Sequence, residues 1–506
     1  MAIDGVSGRT SYIGSSILNL KSQLDDLQQQ LGSGKISTTY AGQGVNRGLA
    51  VALRAQINNI NSYADSATNV NTRINVANLS LQGLVDLGTQ IKSAANGSSI
   101  SLGNNGQTSG QVTAQAAFAN AIELLNTQSG DRYLFSGRAT DTPSTASASD
   151  ILNGSADGTK AGLSQLIAER KQADLGADGR GRLVLSSPSA TAVSVAEDAA
   201  PSVFGLKLSA VSTTTVGATA TGPTGSPPAA TVDFGMSNPS EGDKVRFTFS
   251  LPDGTNETIE LTATASSTPL PGTFQIGATP AATMANLQGK LDNAVKTLAG
   301  TSLVAASAIA ASDNFFDQPP LRVDTTSSPL TSATGLIAGT PANTISWYTG
   351  EPAQSPTDSA RSTAVAQVDQ SISTQYGARA NEPAFRALLQ NIAVYAAVTT
   401  SQTDPNANGQ ITALSQRVTQ NMTPQQGVQI IQDIQADFAG AQTAIKASTD
   451  RQTQVKTMAQ TMLDSIEGVS QDEVATKILA LQTSLSASYQ TTAMLYQISL
   501  TKYLPI

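Results

Sequence analysis

The chain has 506 residues, a net charge of −8, only 4% aromatic and 13% charged residues, and neither cysteine nor histidine. Without cysteine there are no disulfides and no thiolate chemistry, a composition compatible with export; without histidine the commonest acid–base group and the commonest zinc ligand are gone. The acidic balance, with no run among the 29 basic residues, argues against nucleic acid as a partner.

The opening segment MAIDGVSGRTSYIGSS lacks the basic and apolar regions of a secretory signal. No stretch approaches the ~18 consecutive apolar residues of a membrane span. From Ile13 the apolar residues step by fours and threes through Ile17, Leu20, Leu24, Leu27 and Leu31. A repeat of about 3.5 residues keeps one narrow seam in line along a helix, and such a seam is useful only against another helix. Gly32-Ser33-Gly34-Lys35 imitates a phosphate loop, but Gln29 and Ile36 stand where that motif needs Gly and Ser or Thr; a helix-ending turn is the better account. Asp25 and Asp26 are adjacent on the helix and diverge around it, whereas paired acid–base carboxylates must converge. Gly42-Gln43-Gly44 reads as a loop. Leu53, Ile57, Ile60, Ala64, Ala67, Val70, Ile74, Ala77, Leu81, Leu84, Leu87 and Ile91 then predict one long helix, locally overwound where a step of three replaces a four.

Beyond about residue 140 the chain becomes rich in Thr, Ser, Gly and Pro. Leu183, Val184 and Leu185 followed by Val193 and Val195 predict a strand pair. The stretch 210–230 reads as a flexible linker. In Lys244–Leu251 the residues Val245, Phe247, Phe249 and Leu251 share one face; Pro252-Asp253-Gly254-Thr255 supplies a turn before Glu257–Thr262, so a β-hairpin is expected. A short helix follows over Thr283–Leu298. Asp174 and Asp178 lack the spacing of a calcium loop, Phe315, Phe316, Trp347 and Tyr348 read as small-domain core, and the Asn-Gly-Ser triplets at Asn96 and Asn153 carry no weight.

From about residue 376 the helical pattern returns. Ile434, Phe438, Ala441, Ile445, Ser448, Gln452, Val455, Ala459, Met462, Ile466 and Val469 predict a seam in unbroken register, a rod of roughly 54 Å. Val474, Ile478, Leu481 and Leu485 continue it toward Leu495. Polar Ser448 and Gln452 and several alanines make the packing thin. The expected fold class is α+β: long terminal helices, 1–140 and 376–506, pairing as a coiled-coil stem, with a β-rich outer region inserted over 141–375.

At this level the residues resemble a known family. Leu27-Gln28-Gln29-Gln30-Leu31-Gly32-Ser33-Gly34-Lys35, Gly130-Asp131-Arg132-Tyr133-Leu134-Phe135-Ser136-Gly137, Trp347-Tyr348-Thr349-Gly350, Tyr376-Gly377-Ala378-Arg379-Ala380-Asn381-Glu382 and Ser499-Leu500-Thr501-Lys502-Tyr503-Leu504, in this order at both ends, are similar to the bacterial flagellins and their close relative, the hook–filament junction protein, hook-associated protein 3. Thr273–Ala278 and Asn314-Phe315-Phe316 resemble a module of some alphaproteobacterial flagellins. The chain departs from filament flagellins at Tyr40–Ala50, where those carry an Asp-Asp-Ala-Ala-Gly-like segment. The resemblance implies an extracellular flagellar subunit exported by a type III apparatus without a cleaved signal. It implies no cofactor and no catalysis, and as partners copies of itself and other flagellins, hook-associated proteins, the flagellar cap and an export chaperone. It also implies that Ile13, Ile17, Leu20, Leu24, Leu27, Leu31, Ile434, Phe438, Ile445, Val455, Met462, Ile466, Val474, Ile478, Leu481, Leu485 and Leu495 carry inter-helix and inter-subunit contacts. A secreted adhesin is the expectation from another class, and an enzyme on the outer region would need convergent carboxylates that the sequence does not offer.

Overall fold

The structure is a computed structural model that describes residues 4–97, 100–199, 201–326, 329–352 and 358–501; Lys502, Tyr503 and Leu504 of the terminal motif lie outside them. It is a mixed helix-and-sheet protein of two compact units, one of Met1–Val70, Ala366–Thr374 and Thr443–Ile506, the other of Asn71–Val365 and Gln375–Gln442. Residues 71–140 and 376–442 therefore group with the central segment and not with the chain ends, although composition changes at about 140 and 375.

The described helices are α1 (Asp4–Ser33), α2 (Arg47–Gly97), α3 (Ser109–Leu125), α4 (Ala148–Asn153), α5 (Leu163–Leu175), α6 (Pro280–Leu298), α7 (Val304–Phe315), α8 (Pro383–Ala397), α9 (Ala407–Asn421), α10 (Ile431–Glu467) and α11 (Gln471–Thr501). The strands are β1 (Gln128–Ser129), β2 (Arg132–Tyr133), β3 (Leu183–Ser189), β4 (Ala192–Glu197), β5 (Lys207–Thr213), β6 (Thr219–Thr224), β7 (Ala229–Asp233), β8 (Lys244–Ser250), β9 (Asn256–Thr264), β10 (Thr273–Gln275), β11 (Leu321–Val323), β12 (Leu336–Ala338), β13 (Val365–Gln367) and β14 (Ser373–Gln375).

In the first unit α1 packs against α11. The start of α2 meets the end of α10 through Ala50, Leu53, Ala459 and Leu463, with Ile57 and Ile466 beside them. The seam of α10 departs from its expected register here. Met462 is 43% exposed and Leu463 is buried in its place, because a helix of 3.6 residues per turn must take an extra step of four to keep facing one neighbour. Val469 lies beyond the helix, which ends at Glu467. One polar seam residue, Gln452, has a use that the pattern did not reveal. Segment 366–374 lies against α10, with Val368 buried, and the Val368 carbonyl accepts a hydrogen bond from Gln452 Nε2 at 2.6 Å. Arg451 pairs with Asp369 beside it.

In the second unit two four-stranded sheets, ordered β3-β4-β7-β6 and β10-β9-β8-β5, enclose one core with α6. The expected strand pair is β3–β4, with Leu185 opposite Val195. The expected hairpin is β8–β9, with Val245 opposite Leu261 and Phe247 opposite Ile259. Val245, Phe247, Phe249 and Leu251 all face inward and meet Met284, Leu287, Leu291 and Val295 of α6. The stretch 210–230 is no linker. It holds the end of β5, all of β6 and the start of β7, since alternate Ala230 and Val232 enter the core and threonines suit the pleated edge. Two of its glycines serve turns, Gly217 at φ 83° and Gly225 at φ 93°, and Pro223 is tolerated because β6 is an edge strand.

A second departure is the continuous helical stretch Pro280–Phe315, in which α6 passes through a π-turn at Ala299–Leu303 into α7. Its most apolar window, mean hydropathy 1.4, is long enough to cross a membrane, yet 61% of that window is buried inside the protein. Val304 through Ser312 are buried all round, and these mostly small side chains let α5, α8 and α9 close in. Ser307 and Ser312 satisfy their hydroxyls on the Leu303 and Gln390 carbonyls, each at 2.8 Å. Beyond α7, Phe315, Phe316, Trp347 and Tyr348 are core, with Trp347 Nε1 donating to the Phe316 carbonyl at 3.0 Å.

Asp313 of α7 is the misfit of this core. Burial pushes its carboxyl up to about 6 against the opposing pull of Arg386, while Asp317 and Asp253 add to the rise. The unfolded chain ionises this carboxyl first, so its contribution to stability falls as pH rises from about 4 to about 6. Asp313→Asn is expected to remove that slope and to stabilise the protein at neutral pH. Urea midpoints at pH 4 and 7 measure both effects, and an unchanged difference between the two midpoints would refute the assignment.

Candidate assembly surface

Along α1 the seam residues Ile13, Ile17, Leu20, Leu24 and Leu27 are all half-buried, and Leu31 is 36% exposed. On α11 Val474 and Ile478 are buried, Leu481 and Leu485 half-buried, and Leu495 46% exposed. Leu27 and Leu481 meet at an open groove of about 560 Å³, which Gln23, Asp26, Lys477 and Ser484 also line. Tyr12, Leu18 and Leu479 stand outside the seam at 75%, 68% and 64% exposure. By contrast Ile445 is fully buried and Val455 and Ile466 are half-buried in the first unit, while Ile434 and Phe438 are buried in the second. Coverage is thus thinnest on α1 and the distal part of α11.

Where α1 ends, Gly34 takes φ 67° and donates to the Gln30 carbonyl at 2.8 Å, the expected helix-ending turn. Gly42-Gln43-Gly44, expected as loop, falls within a 3-10 turn, Tyr40–Asn46, kinked at Gly44. A short antiparallel bridge follows α1: Ile36 N donates to the Glu467 carbonyl at 2.7 Å and Val469 N to the Gly34 carbonyl at 3.1 Å. The Glu467 side chain is 4% exposed and takes Arg54 at 2.7 Å, Gln43 at 2.9 Å and Lys35 at 3.4 Å. Burial pushes this carboxyl up, but the hydrogen bonds from Arg54, Gln43 and Lys35 outweigh it and leave it below its usual range. Arg54 also lies over the Tyr40 ring, 5.3 Å from its centroid. One carboxylate thereby clasps the end of α1, the turn, the start of α2 and the end of α10.

A depressed carboxylate contributes stability that is fully present above its unfolded pKa, near 4.5, and is lost below it, as pH falls through the lower folded value. Glu467→Gln is expected to weaken the clasp by about 1–2 kcal/mol at pH 7, with the half-exposed Lys35 and Arg54 discounted. Hydrogen exchange at the Ile36 and Val469 amides reads it directly, and unaltered protection at pH 7 would show that the clasp is idle.

Compared with known proteins, the chain matches no protein-family model and no curated sequence.

In the second unit three of the motif segments meet. Ser136 bridges Arg379 in antiparallel fashion, Ala380 N donates to the Phe135 carbonyl at 2.8 Å, and Gly137 N to the Ala378 carbonyl at 3.1 Å. Phe135 packs edge-on to Phe385, with centroids 5.7 Å apart. Glu351 N donates to the Ser136 carbonyl at 3.0 Å, while the Glu351 carboxylate takes Arg138 at 2.7 Å. Residues 130–137, 347–351 and 376–382 thus build one junction.

The carboxylates singled out in the sequence do not converge on one another. Asp25 and Asp26 are both exposed. Asp174 is buried against Arg170 and the Gly205 amide, each at 2.8 Å, while Asp178 faces Arg180 at 3.5 Å. No group of three Asp or Glu side chains able to hold a metal ion gathers among the described residues. The sequence reading missed the Glu467 clasp, although a signal was present: a carboxylate in the last turn of a helix opposes the helix dipole, and so calls for a cation from elsewhere.

Proposed function

We propose that the protein is a structural subunit of the bacterial flagellum that polymerises through its terminal helices into an extracellular filament. The observation that carries this reading is the half-covered seam of α1 and α11. Two paired helices leave Ile13, Ile17, Leu20, Leu24, Leu481 and Leu485 only partly out of water, and further helices from other copies would cover them in a coiled-coil stem. The ordered set of terminal motifs, three of which build one junction, supports the same reading. Its partners are then copies of itself, other flagellins, hook-associated proteins, the cap, and a chaperone of the type III export route, and it performs no catalysis. A second reading, the adaptor between hook and filament, is favoured by Gly130–Gly137, which is similar to the junction protein's segment at that place. Immunogold electron microscopy with an antibody against residues 150–345 separates the two. Label along whole filaments supports the bulk subunit, a single cluster at the filament base supports the adaptor, and label elsewhere on the cell refutes both.

A further inference from the structure

Helix α2 presents two unlike faces in the second unit. On one, Val85 and Gly88 wall a groove of about 310 Å³ whose other side is Leu388 of α8 with Met422, Val428 and Ile430. Gly88 keeps it open, since a Cβ there would stand 3.0 Å from Leu388 Cδ1. Val428 at its lip is 50% exposed. The rim is polar, with Asn421, Gln425, Gln432 and Lys92. On the opposite face Thr72, Asn75, Gln82, Asp86 and Gln90 form an exposed polar stripe interrupted by one apolar residue, Leu79, 73% exposed. At roughly 100° per residue Leu79 points about 150° away from the middle of the groove-lining face.

A lone exposed leucine is ordinary. A lone leucine flanked by the amides of Asn75 and Gln82, on the back of the helix that walls an apolar hole rimmed by Asn421, Gln425 and Gln432, is a matched pair. The charges match as well: Asp86, two turns (roughly 10 Å) along the same face from the leucine, and Lys92 on the groove rim have only neutral hydrogen-bond partners, Gln82 at 3.0 Å and Thr423 at 2.9 Å, and neither has an ion-pair partner among the described residues. We propose that Leu79 of one copy seats in the groove between α2, α8 and the α9–α10 connection of a second copy. Because knob and hole lie on opposite faces, the contact is head-to-tail and leaves a free knob and a free hole on every added copy, so it propagates. Asp86 approaches Lys92 at the rim, and the buried leucine sits at the centre of a polar ring. The inference rests on the polymerising role proposed above and assigns it a lateral contact separate from the terminal seam.

The absence of cysteine makes the test clean. Full-length Leu79→Cys and Val428→Cys variants are oxidised singly and mixed. The mixture is expected to give about tenfold more disulfide-linked dimer than either alone, because the bond forms only at close, oriented approach. No excess in the mixture overturns the proposal, and so does a Leu79→Cys homodimer that exceeds it, which would mean a two-fold contact. Sedimentation of the unmodified protein is read alongside. Polymer without the excess dimer defeats this contact alone, whereas excess dimer without polymer defeats the filament reading and the propagation of the contact, and leaves only its pairing of Leu79 with the groove.

Discussion

Leu481→Asp is expected to abolish sedimentable polymer while leaving the second unit folded. Leu481 lies half-buried on α11 and borders, with Leu27 of α1, the open groove between the two helices. A carboxylate there must either keep its water, which holds other helices off, or be buried unpaired, which costs several kcal/mol. The nearest cation along the helix, Lys477, is engaged by Glu473 at 2.7 Å. A loss of about 1.5–3 kcal/mol of apolar burial at each repeated contact compounds along a polymer, so the effect on assembly far exceeds that on one chain. The single tryptophan, Trp347, is buried in the second unit and reports on that unit. Its unfolding midpoint should not move; polymer at the normal yield from the variant would sink the assembly role of the seam.

The largest expected loss of stability comes from Arg417→Ala. Arg417 of α9 reaches the β8–β9 turn, where its Nε donates to Asp253 at 2.6 Å and its guanidinium meets Thr255 at 3.2 Å. Both side chains are nearly dry, 8% and 4% exposed. Removing the cation leaves Asp253 buried with only the Thr255 amide and hydroxyl to stabilise its charge, a change that typically costs about 3–5 kcal/mol. Replacing both partners, as in Arg417→Met with Asp253→Asn, is expected to recover at least half of the loss, because no uncompensated charge remains. Urea unfolding followed at Trp347 measures both variants. A loss below about 1 kcal/mol in the single variant would mean that water reaches Asp253.

Much of this was legible from side-chain periodicity. The period-two run Val245, Phe247, Phe249, Leu251 and the three–four run from Leu53 to Ile91 each report a buried face, and each appears as the element expected, since one-sided burial leaves its period in the sequence. Two kinds of feature were hidden. Helix α7 is buried on every side, so its Ala- and Ser-rich sequence carries no period. The 210–230 stretch has a linker's composition, and what makes it strand is the core face supplied by β4 and β8, remote in sequence. Of the candidate contact residues, the steps of three and four located the seam but not its turn at Leu463, because a single helix does not hold a repeat of 3.5 unless partners supercoil it. Glu467 was legible only in part: its place in the last turn of a helix calls for a cation, but which cations answer is set by tertiary structure.

Those partners also fix an order of events. Gln43 and Arg54 stand 424 and 413 residues from Glu467 in sequence, whereas the second unit is complete once Gln442 has joined it. A chain delivered from its N-terminus can finish the inner segment's core while the first helices still lack their counterpart, and contacts of such long sequence separation form late. The clasp therefore waits on α10: it closes only once Glu467 has arrived, and every truncation before Glu467 leaves Lys35, Gln43 and Arg54 without the carboxylate that gathers them.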